Sequence, residues 1–317
     1  MRGALSLLGL SLLAAPLFAQ QPTRPAITGI AFFRDYSTQQ AAAETFYGPT
    51  MGFPELKSAE NGGTLAFAVN HSQWVEVLTN TPPPRASRRM AAVGFTTRDV
   101  KGLERYLNAR GVATAEPMHD GEFAVRDPEG ILVYFDESPY PTATGDKHLV
   151  GIAKQVSESQ PLPSATSQRI IHVGFIVQSA DKEDTFWREI LGFKPYWHGY
   201  AKEGETSDDY VSIQVPDGTD WIEYMLHQPA DPDLHTSGVM DHFSLGTPRM
   251  QDVLAQLQRN NCTGKDCTSI QAGRDGKVQL NMYDPDQTRI EYMEFTPAMK
   301  PCCSPFTGTQ PGLKENE

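Results

Sequence analysis

Short stretches of alternating apolar and polar residues recur along the chain, and after each comes a stretch whose apolar positions fall at helical spacing. Residues 170–177 show the first pattern. Residues of one parity face one side of a sheet and the rest face the other, and His172 belongs to one such face. Helices are predicted over 41–47, 100–110 and 247–260. Ser37 with Gln40 has the spacing of a capping box, Gly111 closes the second helix, and Pro248 stands early in the third. Two or three strands follow each helix, parted by turn residues such as Glu60-Asn61-Gly62-Gly63, Asp217-Gly218 and Arg274-Asp275-Gly276. The recurring unit is strand, helix, then three strands.

These units repeat in sequence as well as in pattern. Thr45-Phe46-Tyr47 leading to Gly52-Phe53 returns as Thr185-Phe186-Trp187 leading to Gly192-Phe193, and Trp74-Val75-Glu76 returns as Trp221-Ile222-Glu223. A weaker echo links Met90-Ala91-Ala92-Val93 with Met240-Asp241-His242-Phe243, each followed by a helix and an Asp-Pro turn. Four modules result, at residues 27–79, 90–137, 169–227 and 239–296. They pair into domains at 26–137 and 169–296, joined by a Ser-, Pro- and Thr-rich linker at 138–168 and followed by a tail at 297–317. Aligning the opening strands places Gly29, Ala92, His172 and His242 together; the closing strands place Glu76, Tyr134, Glu223 and Glu291 together. The first half thus keeps one potential metal ligand of four. The second half has all four, and any chemistry is expected there.

A chain of 317 residues with 39% apolar residues can bury two cores. Residues 1–20 read as a signal peptide: Met1-Arg2-Gly3, an apolar run over 4–18, then Ala19-Gln20. That run is short of the roughly twenty residues a membrane span needs, so a secreted or periplasmic protein with no membrane contact in its mature form is expected. The four cysteines, Cys262, Cys267, Cys302 and Cys303, suit disulfides in such a compartment, with the connectivity open. A net charge of -12 without a basic stripe argues against nucleic acid as a partner.

The fourfold unit, with Asp284-Pro285-Asp286 leading to Ile290-Glu291 and Pro216-Asp217-Gly218 leading to Ile222-Glu223, resembles the vicinal oxygen chelate superfamily over nearly all of residues 26–296. That family includes glyoxalase I, bleomycin- and fosfomycin-resistance proteins, methylmalonyl-CoA epimerase and extradiol dioxygenases. The resemblance implies an α+β fold of βαβββ modules, paired into two glyoxalase-like domains with open, cup-shaped mixed sheets. It also implies one divalent ion on His172, Glu223, His242 and Glu291, and a first domain without metal. Imidazole with carboxylate suits zinc, nickel, iron, manganese or cobalt alike.

Three functions are open to such a site. With all four ligands, a glyoxalase-like lyase or isomerase would polarise a carbonyl of a small oxygenated substrate so that an enediolate forms, with Glu291 or Glu223 as the base. With His172, His242 and Glu291 alone, the site is that of an iron(II) extradiol dioxygenase. The dioxygenase motif is incomplete here, because Tyr283 directly precedes Asp284-Pro285 and residues 273–282 lack a His; His198 is the available substitute. The third function is ligand or drug binding without turnover, in a cup lined by aromatics such as Tyr196, Trp197, Tyr210 and Tyr224. The candidate substrate-pocket residues are Tyr210 and Tyr224 of this set, together with His198. Two complete domains in one chain remove the need to dimerise for a closed cup, and either a monomer or a dimer is expected.

Overall fold

The computed structural model describes residues 22–56, 64–79, 89–119, 121–137 and 151–313. The apolar run at 4–18, the turn at 60–63 and the first part of the expected linker lie outside them. Strands β1 (Ile27–Tyr36), β2 (Thr64–Ala68), β3 (Trp74–Leu78), β4 (Met90–Thr97), β5 (Thr114–His119), β6 (Glu122–Arg126) and β7 (Leu132–Glu137) form a seven-stranded sheet in the order β2-β3-β1-β4-β7-β6-β5. An eight-stranded sheet in the order β13-β14-β15-β12-β8-β11-β10-β9 is built from β8 (Ile170–Ile176), β9 (Lys194–Gly199), β10 (Tyr210–Gln214), β11 (Trp221–Met225), β12 (His242–Thr247), β13 (Ile270–Ala272), β14 (Val278–Tyr283) and β15 (Arg289–Glu294). In each sheet the opening strands of the two modules pair antiparallel at the centre, and each pairs parallel with the last strand of its own module. The two sheets therefore have the same internal twofold plan.

Alternation along the strands sorts the side chains as expected. Val173, Phe175, Ile222, Tyr224, Phe243, Leu245, Ile290 and Tyr292 face one way into the main core. That core also takes in the first sheet, through Phe33 against Phe243 at 5.0 Å and Phe95 against Trp187 at 5.5 Å. Helices α1 (Gln40–Thr45), α2 (Val100–Ala109) and α6 (Met250–Arg259) supply residues to it, as does the helical segment Thr185–Ile190 that continues α4 (Ala180–Asp184); α3 (Gly151–Glu158) and α5 (Leu234–Met240) lie between modules. Gly111, at φ 82°, follows α2 as its sequence position requires. No helix among the described residues is long and apolar enough to cross a membrane.

Four details depart from the sequence pattern. No capping box forms at α1: Ser37 Oγ donates to the Asp286 carboxylate of the second domain and accepts from Gln39 N at 3.0 Å. Among the described residues the first module has two strands after its helix, with a single bridge between Glu55 and Phe67 where the other modules have a third strand. Within the expected linker, residues 151–158 are helical, and Ala153 and Val156 of α3 pack into the first cup against Phe32, Trp74 and Tyr134. The expected tail is a strap on the second cup. Thr307 N donates to Tyr196 O at 2.9 Å, Gln214 Nε2 to Thr309 O at 2.8 Å, and the buried Arg169 to Gly312 O at 2.6 Å. The disulfides join Cys262 to Cys267 and the adjacent Cys302 and Cys303.

Candidate metal centre

The concave face of the second sheet collects the residues of the other parity. On the closing strands these are Trp221 and Glu223 on β11 and Arg289 and Glu291 on β15; on the opening strands they are His172 and Gly174 on β8 and His242 and Ser244 on β12. Register brings them together: Gly174 stands opposite both Glu223 and His242, and Ser244 opposite both His172 and Glu291. Between Ile170 and His172 the pairing of β8 with β12 slips by one residue, a bulge at Ile171 beside the site. Gly174 has no side chain for a physical reason. A Cβ there would lie 2.1 Å from His242 Cε1, inside the imidazole.

The four side chains named from the sequence converge. His172 Nε2 lies 3.1 Å from His242 Nε2 and 3.3 Å from Glu291 Oε2. His242 Nε2 lies 3.9 Å from Glu223 Oε2 and 4.0 Å from Glu291 Oε2. Ligand atoms held 2.0–2.2 Å from one ion stand about 3–3.5 Å apart when adjacent and about 4.2 Å apart when opposite, so this spacing fits the corners of one coordination shell. The donor chemistry fits as well. His242 Nδ1–H donates to Met240 O at 2.8 Å, which leaves Nε2 as the lone-pair nitrogen turned into the cluster. Trp221 lies against the His172 ring at 4.7 Å and fixes its plane.

Burial holds both imidazoles neutral: it lowers the pKa of His172, and for His242 the adjacent Arg289 charge adds to it. Burial alone would raise Glu291, but the His172 hydrogen bond, with Arg289 adding to it, holds it below the usual carboxylate value. Glu223 moves the other way. Burial and then the Glu291 charge raise it to about 7, against the weaker pull of the Arg289 charge and of Ser212 Oγ, which donates to Oε1 at 3.2 Å.

Beside the cluster lies a cavity of about 270 Å³ whose lining includes Trp197, Tyr210, Ser212, Glu223, Arg289 and Phe306. Tyr210 lines it, as do Tyr196 and Trp197. His198 and Tyr224 do not. The His198 ring is 55% exposed and bonded to Asp208 at 2.9 Å, while Tyr224 points into the core on the far side of β11. Three contributors were not singled out from the sequence. Arg289 approaches His242 Nε2 to 2.9 Å; its place two residues before Glu291 on one strand was the available signal. Lys277 is fully buried, donates to Phe295 O at 2.7 Å and is lowered by burial to about 8, with its ammonium over the Trp221 ring. Phe306 comes from the strap, which has no strand or helix pattern to read.

The first cup is built differently. Register makes Ala92 the equivalent of His242, Tyr134 of Glu291 and Glu76 of Glu223, as the repeat indicated. The equivalent of His172 is Phe32, not Gly29, because Phe32 pairs with Trp74 as His172 does with Trp221. Bulges on β1 displace the count. Arg34 stands where the second cup has Gly174. Its Nε donates to Glu76 Oε2 at 2.6 Å, and its guanidinium lies over the Phe32 and Tyr134 rings. The remaining carboxylate is thus neutralised by a side-chain cation.

Several solved structures with the same fold are 2,3-dioxygenases by name. Homoprotocatechuate 2,3-dioxygenase from Arthrobacter globiformis aligns with a TM-score of 0.58 at 16% identity, over 94% of this chain and 87% of that one. The 2,3-dioxygenase LapB from Pseudomonas sp. KL28 aligns at 0.60 and 15% identity, over 88% and 97%; a catechol 2,3-dioxygenase aligns at 0.60 and 13%, over 87% and 92%. At these identities the likeness is one of fold. No curated protein sequence matches the chain. The model of the Glyoxalase/Bleomycin resistance protein/Dioxygenase superfamily matches residues 29–135 and 169–292, which are the two cups, and the chain belongs to that superfamily.

Proposed function

We propose that the second cup is the active site of a divalent-metal-dependent lyase or isomerase acting on a small oxygenated substrate. The observation that carries this reading is the convergence of His172, His242, Glu291 and Glu223 beside a cavity. A bound first-row ion supplies Lewis-acid polarisation of a substrate oxygen. The chain's own residues do the rest. His172 and His242 present neutral nitrogens, and Glu291 stays ionised. Glu223 stands at the cavity side of the cluster, 15% exposed and farther from His242 than the other three ligand groups are from their nearest neighbours, placed to take and return a proton. Trp197, Trp221 and Phe306 keep bulk water from the reacting atoms. The cavity is just below the usual 300–1,000 Å³ of small-molecule sites, which favours a small substrate.

Extradiol ring cleavage on His172, His242 and Glu291 is the second reading. It is favoured by the folds of the neighbours and by the 3.1 and 3.3 Å contacts within that trio, against 3.9 Å to Glu223. Against it, no histidine is among the described residues that line the cavity, so none stands free to act as the acid or base of ring cleavage. Elemental analysis of protein purified without added metal should find about one first-row divalent ion per chain. Glu223→Gln should lower proton-transfer activity at least a hundredfold, read as exchange of a substrate proton for solvent deuterium. Ring-cleavage product from any catechol after iron(II) loading would reverse the choice between the readings.

We also propose that the protein is exported. The apolar run at 4–18 and two disulfides support an oxidising compartment. Sequencing of the mature protein should find its first residue near position 21; retention of Met1 would refute export by cleavage.

A further inference from the structure

The wall of the second cup carries two hydrogen-bond donors that the described residues leave unmatched. Arg289 Nε is buried with no hydrogen-bond partner, and Nη2 lies against the His242 ring, 3.0 Å from Nδ1 and 2.9 Å from Nε2; Nδ1 already donates to Met240 O, and Nε2 is the nitrogen that the metal reading requires for the ion. Trp197 Nε1 is also buried and unmatched; Trp197 is 4% exposed and lines the same cavity. Among the described residues no carboxylate pairs with Arg289, although Arg274, on the same wall, has Glu203 at 3.4 Å. Donors left buried without acceptors are costly, and they mark a place where a ligand supplies the acceptors.

Charge points the same way. Glu223 and Glu291, when ionised, cancel a divalent ion, so four ligands with their metal present a neutral face. Arg289 adds one positive charge inside the cavity, where the low dielectric strengthens its pull on an anion. At the equivalent place in the first cup, Leu132 offers no such charge.

Resting on the metal-dependent reading above, we propose that the substrate is a small 2-oxo or 2-hydroxy carboxylate. Its carboxylate is held by the Arg289 guanidinium, with the Trp197 indole N–H, and its adjacent oxygen is turned toward the His172, His242 and Glu291 cluster. A planar guanidinium meets a carboxylate through two parallel hydrogen bonds, which a single ammonium cannot reproduce. A cavity of about 270 Å³ suits acids of a few carbons.

The test is titration of the full-length protein, as purified and after metal stripping, with pyruvate, lactate and their uncharged counterparts hydroxyacetone and propane-1,2-diol. Binding is read by calorimetry and by tryptophan fluorescence. The acids should bind at least tenfold more tightly than the neutral molecules. Arg289→Gln should remove that preference and weaken acid binding by about 10- to 100-fold, Arg289→Lys should keep part of it, and Trp197→Phe should weaken the acids several-fold while the neutral ligands are unchanged. Metal content should not fall in these variants. Equal binding of acids and neutral counterparts, or an acid preference that survives Arg289→Gln in a folded protein, overturns the proposal. Wild-type protein without metal would instead overturn the enzyme reading, and the same titration would still decide the carboxylate clamp.

Discussion

At the scale of single residues, the site depends on what is small as much as on what is chemical. His242 can turn its Nε2 toward His172 because Gly174, directly across the sheet, leaves room for the ring. Gly174→Ala should therefore displace the imidazole. Overpacking of this kind costs about 1–3 kcal/mol, and metal content should drop with it; denaturant unfolding and elemental analysis check both. Glu76, Ala92 and Tyr134 were legible as counterparts of Glu223, His242 and Glu291, because alternation and closing-strand motifs survive in sequence. Phe32 was not. A bulge adds a residue without a composition of its own, so counting along β1 led to Gly29.

At the scale of elements, the segments that pattern reading set aside complete the cups. Helix α3 fills the first, and the strap over residues 297–313 walls the second, where Phe306 packs on Tyr196 at 4.9 Å. Neither has a run long enough to announce itself: α3 has eight residues, and the strap is held mainly by hydrogen bonds to β9, Gln214 and Arg169. Phe306→Ala should destabilise the second domain by about 1–3 kcal/mol. It should also open the cavity, so that acrylamide quenches tryptophan fluorescence more strongly than in the wild type; unchanged quenching would mean that the strap is not a wall.

At the scale of the whole molecule, the domains are joined through polar groups as well as through the shared core. Asp217 and Asp220 accept from the backbone of Ile27 and Ile30, and Gln73 bridges Ile30 and Ile170. The Asp284-Pro285-Asp286 turn docks on the first domain, with Asp284 beside the buried Asp35 and Tyr47. Burial, with the nearby Asp286 charge adding to it, raises Asp284 to about 6, and Asp35 also stands well above its usual value. A carboxyl with a raised folded pKa binds its proton more tightly in the native state. Its contribution to stability is therefore present at low pH and falls as pH rises from about 4 to about 6, by roughly 2–3 kcal/mol for Asp284. Asp284→Asn keeps an oxygen for the Asp286 and Thr288 N–H groups and should remove that fall; urea unfolding at pH 4.5 and 7.5, compared with wild type, measures it.

The sequence by itself determined the modular repeat, the pairing of modules into two cups and the four side chains that meet in the second, because hydrophobic alternation and repeated motifs are local properties that survive duplication. Only the tertiary structure decided which residue fills each place in the first cup, that His198 and Tyr224 stand away from the cavity, and that Arg289, Lys277 and Phe306 surround the cluster. These depend on bulges, register and long-range packing, which set where a side chain arrives without changing the pattern along the chain.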